Sequence, residues 1–184
     1  IECIEDALDS TPGRDMIYTI SVQGHGKYPS EQVITNPKIK VLSAPTEELK
    51  WKYEYYVNQI YEMDQFIGEL VDKLSKRDEP IMLAMYGDHI PAINITEDDL
   101  ESDNLYATQY LIWNNIGIKK DDENLHTYQL AAYMTDMVDL QVGTIFTYQQ
   151  NHKNSETYLE DLKALGYDML YGKGYIYGGR NPFE

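Results

Sequence analysis

The sequence predicts an α/β fold. Three features carry that expectation: a short apolar run at Ile81-Met82-Leu83-Ala84, a second run rich in β-branched and aromatic residues from Asp15 to Val22, and a long amphipathic stripe between them. Runs of that length and composition read as strands. Along the stripe, apolar or aromatic residues fall at Leu49, Tyr53, Tyr56, Ile60, Met63, Ile67, Leu70 and Leu74, in steps of 4, 3, 4, 3, 4, 3, 4. That is one helical face, continued to about Lys76 over roughly 45 Å. A helix packed on a sheet and a coiled-coil seam share this spacing; strands on both sides favour the sheet. Strand, helix, strand is the βαβ pattern, which predicts parallel strands joined by a right-handed crossover.

The remaining elements follow from local signals. Ile4 to Leu8 reads as the end of a helix, with Gly13 as breaker. Gln23 to Pro29 reads as a loop, and the stretch on to Ala44 as irregular. Thr46 can cap the long helix, and Glu47 and Glu48 suit the positive end of its dipole. Glu79-Pro80 ends it. Thr96 to Leu100 reads as a short capped helix, and Thr108 to Trp113 as a third strand ended by Asn114-Asn115. Tyr128 to Val142 reads as a helix, as does Glu156 to Leu165, stopped by Gly166. The tail, Tyr167 to Glu184, reads as an edge hairpin or a loose end.

Composition bounds the function. The chain has 184 residues, 42% apolar and 25% charged, enough for one ordered domain. Fifteen basic against thirty-one acidic residues give a net charge of −16. Nothing resembles the basic stripe that nucleic-acid binding needs. An anionic substrate would require a local positive charge, which a bound metal ion supplies. The single cysteine, Cys3, excludes an intramolecular disulfide and a multi-cysteine zinc site. No apolar run approaches the ~20 residues of a membrane span. Ile1 opens the chain without Met on an acidic segment, so it is expected to be a processed product or a portion of a longer chain.

The most informative segment is Met85-Tyr86-Gly87-Asp88-His89-Ile90-Pro91. Ligands of open α/β sheets bind beyond the carboxyl ends of the strands. An Asp beside a His there offers one hard and one borderline donor to a divalent metal. Gly87 would let the backbone turn sharply, and Pro91 would stiffen the exit. A turn-capping Asp next to a surface His has the same spelling; the strand, Gly87 and Pro91 favour metal. Two donors do not fill a site, so further ligands must come from elsewhere. With parallel strands, His25, between Gly24 and Gly26, would share the rim with Asp88 and His89 and could touch substrate. His126 and His152 lie in polar stretches and read as surface residues. Asp64 borders the helical stripe on its solvated side. Most of the seventeen tyrosines fit core or surface positions, and no stacking platform is read from them. No Gly-x-Ser-x-Gly, Walker or His-Glu-x-x-His motif is present, and neither Thr19 nor Ser21 precedes a helix start that could activate it.

These residues carry a family resemblance. Tyr86-Gly87-Asp88-His89-Ile90-Pro91 resembles the Gly-Asp-His motif of the lipoteichoic acid synthase-like phosphoglycerol transferases, in the sulfatase branch of the alkaline phosphatase superfamily. Ser21-Val22-Gln23-Gly24-His25-Gly26-Lys27-Tyr28-Pro29 is similar to their upstream strand-end motif. The long helix with Tyr53-Glu54-Tyr55-Tyr56 and Met63-Asp64, and Tyr110-Leu111-Ile112-Trp113-Asn114, follow in the family's order. The resemblance covers roughly residues 1–150. It implies an alkaline phosphatase/sulfatase-like α/β fold whose mostly parallel sheet is incomplete here. Residues 1–184 would be the C-terminal part of the catalytic domain, with 151–184 as a C-terminal helix and Tyr/Gly-rich tail.

The resemblance also implies chemistry. Asp88 and His89 would ligate Mn2+ or Mg2+, and His25 would contact the phosphoglycerol group. A metal-bound threonine nucleophile takes that group from a phosphatidylglycerol-type lipid and passes it to a cell-envelope polymer or glycan. That threonine and a metal-binding glutamate are expected upstream of this chain, as are membrane helices that hold the protein at the outer face of the cell membrane. The isolated chain would then be inactive, with a truncated apolar face prone to self-association. Sulfatase, phosphatase or phosphoethanolamine transferase activity on the same fold remains an alternative. So does a non-catalytic binding domain using the Tyr-rich helix as its contact surface.

Overall fold

The long stripe does form one helix, α2 (Glu47–Leu74), and its two ends are fixed by local chemistry. The Thr46 hydroxyl accepts from the Leu49 N–H at 3.1 Å. Glu47 and Glu48 sit in the first turn and Lys73 in the last, matching the helix dipole. The structure, a computed structural model, describes residues 1–119, 121–140 and 143–180. They divide into two compact units, Ile1–Gly117 and Ile118–Glu184.

Unit 1 is organised around α2. Leu70 and Leu74 at its C-terminal end are each 3% exposed. Toward the N-terminal end the buried residues are polar: Glu54 and Asn58, one turn apart, are each 5% exposed. Both hold irregular backbone. Asn58 Oδ1 accepts from the N–H groups of Lys38 and Ile39 at 2.8 and 3.1 Å, and its Nδ2 donates to the Ile39 carbonyl at 2.8 Å. Glu54 Oε2 accepts from the Val41 N–H at 3.1 Å. A segment without secondary structure must satisfy its peptide groups somewhere, and here it does so on a helix face. Glu54 and Asn58 lie on the face of α2 roughly opposite the apolar stripe, on which Leu70 and Leu74 are buried and Ile60 stays 42% exposed.

α1 (Glu2–Asp9) matches the expected helix. Ion pairs tie it to the end of α2: Lys73 with Glu5 at 2.7 Å, and Arg77 with Asp9. Arg77 also pairs with Glu79. These partners hold the Lys73 ammonium and the Arg77 guanidinium above their usual values.

The sheet departs from expectation. β1 (Met82–Tyr86) pairs with β2 (Tyr110–Asn114) in antiparallel register, Met82 opposite Asn114 and Tyr86 opposite Tyr110. Among the described residues this two-stranded sheet stands in place of a mostly parallel one. Asn115 locks its open end: its Oδ1 accepts from the Ile81 N–H at 2.7 Å and its Nδ2 donates to the Glu79 carbonyl at 2.8 Å. Residues 15–22 form neither helix nor ladder, so the expected strand and its parallel crossover are not formed among the described residues. β-propensity describes a side chain's fit to a pleated, half-buried surface. Here Met16, Tyr18, Ile20 and Val22, one face of the run, are 91%, 68%, 76% and 77% exposed.

Unit 2 is helical. A 3-10 turn (Thr127–Gln129) leads into α3 (Leu130–Met137), followed by α4 (Thr144–His152) and α5 (Tyr158–Leu170). Gln141 and Val142, the end of the helix expected to reach Val142, lie outside the described residues. α4 has too few periodic apolar residues to stand out in the sequence. α5 runs through Gly166, which was expected to stop it. An internal glycine costs only about 1 kcal/mol, and both ends of α5 are secured. Thr157 donates to Asp161 at 2.6 Å, and Asp168 accepts from the N–H groups of Lys173 and Ile176 at 3.2 and 2.9 Å. The expected tail hairpin is instead a 3-10 turn (Tyr175–Tyr177) between Gly174 and Gly178, both left-handed. Residues 181–184 lie outside the described ones.

Two outcomes test this account. Asn58→Ala removes four hydrogen bonds, three of them to backbone groups of 38–39, so urea unfolding should show a loss of about 2–4 kcal/mol; a change below ~0.5 kcal/mol would refute the clamp. Burial, then the neighbouring Tyr56 and Tyr55, raise the Tyr28 phenol above its ordinary value, and burial raises that of Tyr56. The folded state thus holds these protons more tightly than the unfolded chain. The resulting stability is complete below pH ~10 and lost as pH rises through the folded values. Urea stability of the wild type should therefore fall more steeply above pH ~10 than that of Tyr28→Phe; parallel slopes would exclude the effect.

Candidate functional site

The ladder continues one step past β1, where the Gly87 N–H donates to the Gln109 carbonyl at 3.3 Å, and then the chain turns outward. Gly87 is not in a left-handed conformation, and a Cβ there would make ordinary contact with Thr108 at 3.7 Å. The turn that presents Asp88 and His89 therefore does not depend on glycine's freedom. Asp88 Oδ1 accepts from the His89 N–H at 2.9 Å, which leaves Oδ2 for other partners. His89 Nδ1 lies 2.9 Å from the Ile90 carbonyl. A carbonyl only accepts, so Nδ1 carries the proton and the neutral ring keeps its lone pair on Nε2. That Nε2 lies 3.7 Å from Asp88 Oδ2, and the two side chains are 60% and 80% exposed.

His25 reaches this place without a sheet. Its ring centroid lies 6.1 Å from that of His89, edge toward face at 68°. Three anchors bring it there. The Gln23 amide donates to Gln59 at 2.9 Å and to Glu62 at 2.6 Å, both on α2. Gly24, at φ +81°, lets the backbone approach α2 so closely that a Cβ would sit 3.4 Å from Ile60 Cδ1. Tyr28 donates to the Gly24 carbonyl at 2.7 Å and stands edge-to-face on Tyr55 and Tyr56, with centroids 6.4 and 5.9 Å apart. A fourth contact joins the extended run to the end of β1: the Tyr18 and Tyr86 hydroxyls are 3.1 Å apart. That hydrogen bond, then burial and the nearby charges, raises the Tyr86 phenol above its ordinary value.

The site thus assembles His25, Asp88 and His89, and residues not singled out in the sequence position them. Tyr18, Gln23, Tyr28, Gln59 and Tyr86 are ordinary polar-aromatic residues whose roles appear only across long sequence separations. One signal was available: Tyr56, Gln59, Ile60 and Glu62 fall within two turns of one helix, close enough to receive a single loop. Asp64 is exposed, as read, and Cys3 is an exposed free thiol. Among the described residues no group of three or more His, Cys, Asp or Glu side chains is arranged to hold a metal ion. The donor set still suits a divalent cation in part. A histidine that gives its Nδ1–H to a backbone carbonyl and keeps Nε2 beside a free carboxylate oxygen is oriented as metal-ligating histidines are.

A protein from Rhizobium meliloti (strain 1021) named for cyclic beta-1,2-glucan modification is 22% identical over 202 residues, covering 86% of this chain and 31% of its own length. The fold matches that of Streptococcus pyogenes phosphoglycerol transferase GacH, solved with sn-glycerol-1-phosphate, at a TM-score of 0.63 and 24% identity, over 72% of this chain and 38% of that one. This chain therefore spans about a third of the length of each. The alkaline phosphatase-like α/β class follows from the match, although only two strands of such a sheet are formed among the described residues. The sequence model of the sulfatase family matches residues 2–140, most of unit 1 and the start of unit 2: the chain belongs to the sulfatase family.

Proposed function

We propose that this chain is the C-terminal part of the catalytic domain of a metal-dependent phosphoglycerol transferase. The observation that carries the reading is the convergence of His25 on the Asp88–His89 pair, with ring centroids 6.1 Å apart and the two donor atoms of the pair 3.7 Å apart. Asp88 Oδ2 and His89 Nε2 would hold Mn2+ or Mg2+. When bound, such an ion lowers the pKa of a coordinated hydroxyl and stabilises charge on phosphoryl oxygens. His25 binds the phosphate or glycerol oxygens of the substrate from the facing loop, held in place by Gln23 and Tyr28. The remaining ligands and the threonine nucleophile lie outside these 184 residues.

The substrate assignment draws on the structural relative, which binds sn-glycerol-1-phosphate. The group would come from a phosphatidylglycerol-type lipid and go to a cell-envelope polymer or glycan, in line with the glucan-related name of the Rhizobium relative. The reaction belongs at the outer face of the cell membrane. Among the described residues no helix is long and apolar enough to cross a membrane. The exposed row Met16, Tyr18, Ile20 and Val22 is the place where further strands of the sheet, or a second copy, would pair.

Three measurements decide this reading. Calorimetric titration with Mn2+ should show saturable binding that Asp88→Ala weakens by about tenfold or more; equal affinity in both proteins removes Asp88 from the metal site. With Mn2+ present, His25→Ala should weaken sn-glycerol-1-phosphate binding by about tenfold, the loss of one charge-assisted hydrogen bond. The chain alone should not turn over a phosphatidylglycerol analogue, and efficient turnover would overturn the placement of the nucleophile.

A further inference from the structure

Unit 2 contains an aromatic column that the phosphoglycerol chemistry does not use. His126 stacks on Tyr128 with centroids 5.1 Å apart at 10°, and Tyr128 on Tyr158 at 6.2 Å and 22°. Tyr158 stacks on Tyr148 at 5.7 Å and 26°, and Tyr148 on His152 at 4.8 Å and 8°. Five near-parallel rings come from the 3-10 turn, α4 and α5. Their order is fixed from behind by buried Gln149, whose amide donates to the Tyr128 carbonyl at 2.9 Å and the Tyr158 hydroxyl at 3.1 Å. Tyr148 donates to the Tyr158 carbonyl at 3.1 Å. Centroid separations well beyond the ~3.5–4 Å of direct carbon contact mean the rings are offset. At the outer end, His126 is exposed and Tyr128 is 44% exposed, so aromatic surface is left open there.

That open end lines an open groove of about 370 Å3, a volume within the ~300–1,000 Å3 range of small-ligand sites. Its other walls carry Gln129, Lys153, Ser155, Glu156 and Glu160. The charge pattern selects among ligands. Lys153 is paired with both carboxylate oxygens of Glu123 at 3.2 Å, and two further carboxylates face the groove. An anionic ligand would meet negative charge with no uncommitted cation on the lining. A neutral ligand with an apolar face and a rim of hydroxyls fits: the C–H face lies on the electron-rich rings, and the hydroxyls donate to carboxylates and accept from the Gln129 amide.

We propose that this groove is a saccharide-binding subsite for a neutral glycan, with Tyr128 and His126 as the stacking platform and Glu156, Glu160 and Gln129 as hydroxyl partners. The subsite stands on unit 2 alone and requires neither metal nor transfer. If the phosphoglycerol reading also holds, the ligand is the acceptor glycan.

The test is calorimetric titration of the 184-residue chain with cellobiose and with sophorose, without added metal. At least one disaccharide should bind saturably in the millimolar range. Tyr128→Ala and His126→Ala should each weaken binding about tenfold, Tyr128→Phe by no more than about twofold, and Asp88→Ala not at all. Because Tyr128→Ala removes a ring from the column, circular dichroism and the milder His126→Ala variant separate loss of binding from loss of fold. Absence of saturable binding by either sugar overturns the proposal. So does undiminished binding in folded Tyr128→Ala and His126→Ala, or tighter binding of adenosine monophosphate than of both sugars. Failure of the Mn2+ titration at Asp88 leaves this result untouched, so the two readings fail separately.

Discussion

The architecture of unit 1 depends on a polar contact rather than an apolar one. An amide and a carboxylate, Asn58 and Glu54, sit one turn apart on α2 and are almost fully buried. They accept from three backbone N–H groups and donate to one carbonyl of residues 38–41. Peptide groups outside secondary structure need partners, and this irregular stretch finds them on buried side chains of the helix. The same helix, one turn further on, receives Gln23 and the close approach of Gly24. α2 is thus a ruler: it fixes one loop to set the register of the other, and the second loop carries His25.

That arrangement explains how His25 and the Asp88–His89 pair meet at the end of a sheet that has two strands among the described residues. β1 and β2 hold the Asp88–His89 turn through ladder bonds and the Asn115 clamp. The His25 loop is held by α2 and by the Tyr18–Tyr86 hydroxyl pair. Two separately anchored pieces converge at one edge. The protein's strongly acidic balance of charge makes such a place unsuited to an anion by itself, and a divalent ion between a carboxylate and an imidazole would reverse the local field.

Unit 2 follows a different logic. Its few buried apolar residues, Leu130 and Ala132, are joined by Tyr158 and the amide of Gln149. Stacked rings supply much of its packing, and hydrogen bonds to Gln149 and between tyrosines set their order. Aromatic rings give large contact area with few rotatable bonds, which suits a small unit with a short core and leaves aromatic surface available at its edge.

The sequence by itself determined the long helix α2 and the strand β1. Thr46, the stripe to Leu74 and Glu79-Pro80 fixed α2, because capping, periodicity and a helix-breaking proline are local physics. The apolar run 81–85 fixed β1 in the same way, and Asp88-His89 after it marked the rim. The family was legible in those motifs because they join donor chemistry to a strand end. Only the tertiary structure decided that residues 15–22 join no ladder, since a strand exists only where another backbone completes it. Only it decided that Glu54 and Asn58 are buried, because their partners are peptide groups many residues away that no periodicity reveals. The stacking of His126 and His152 on tyrosines was hidden for the same reason: a ring's neighbours across helices depend on packing, whereas its sequence neighbours are merely polar.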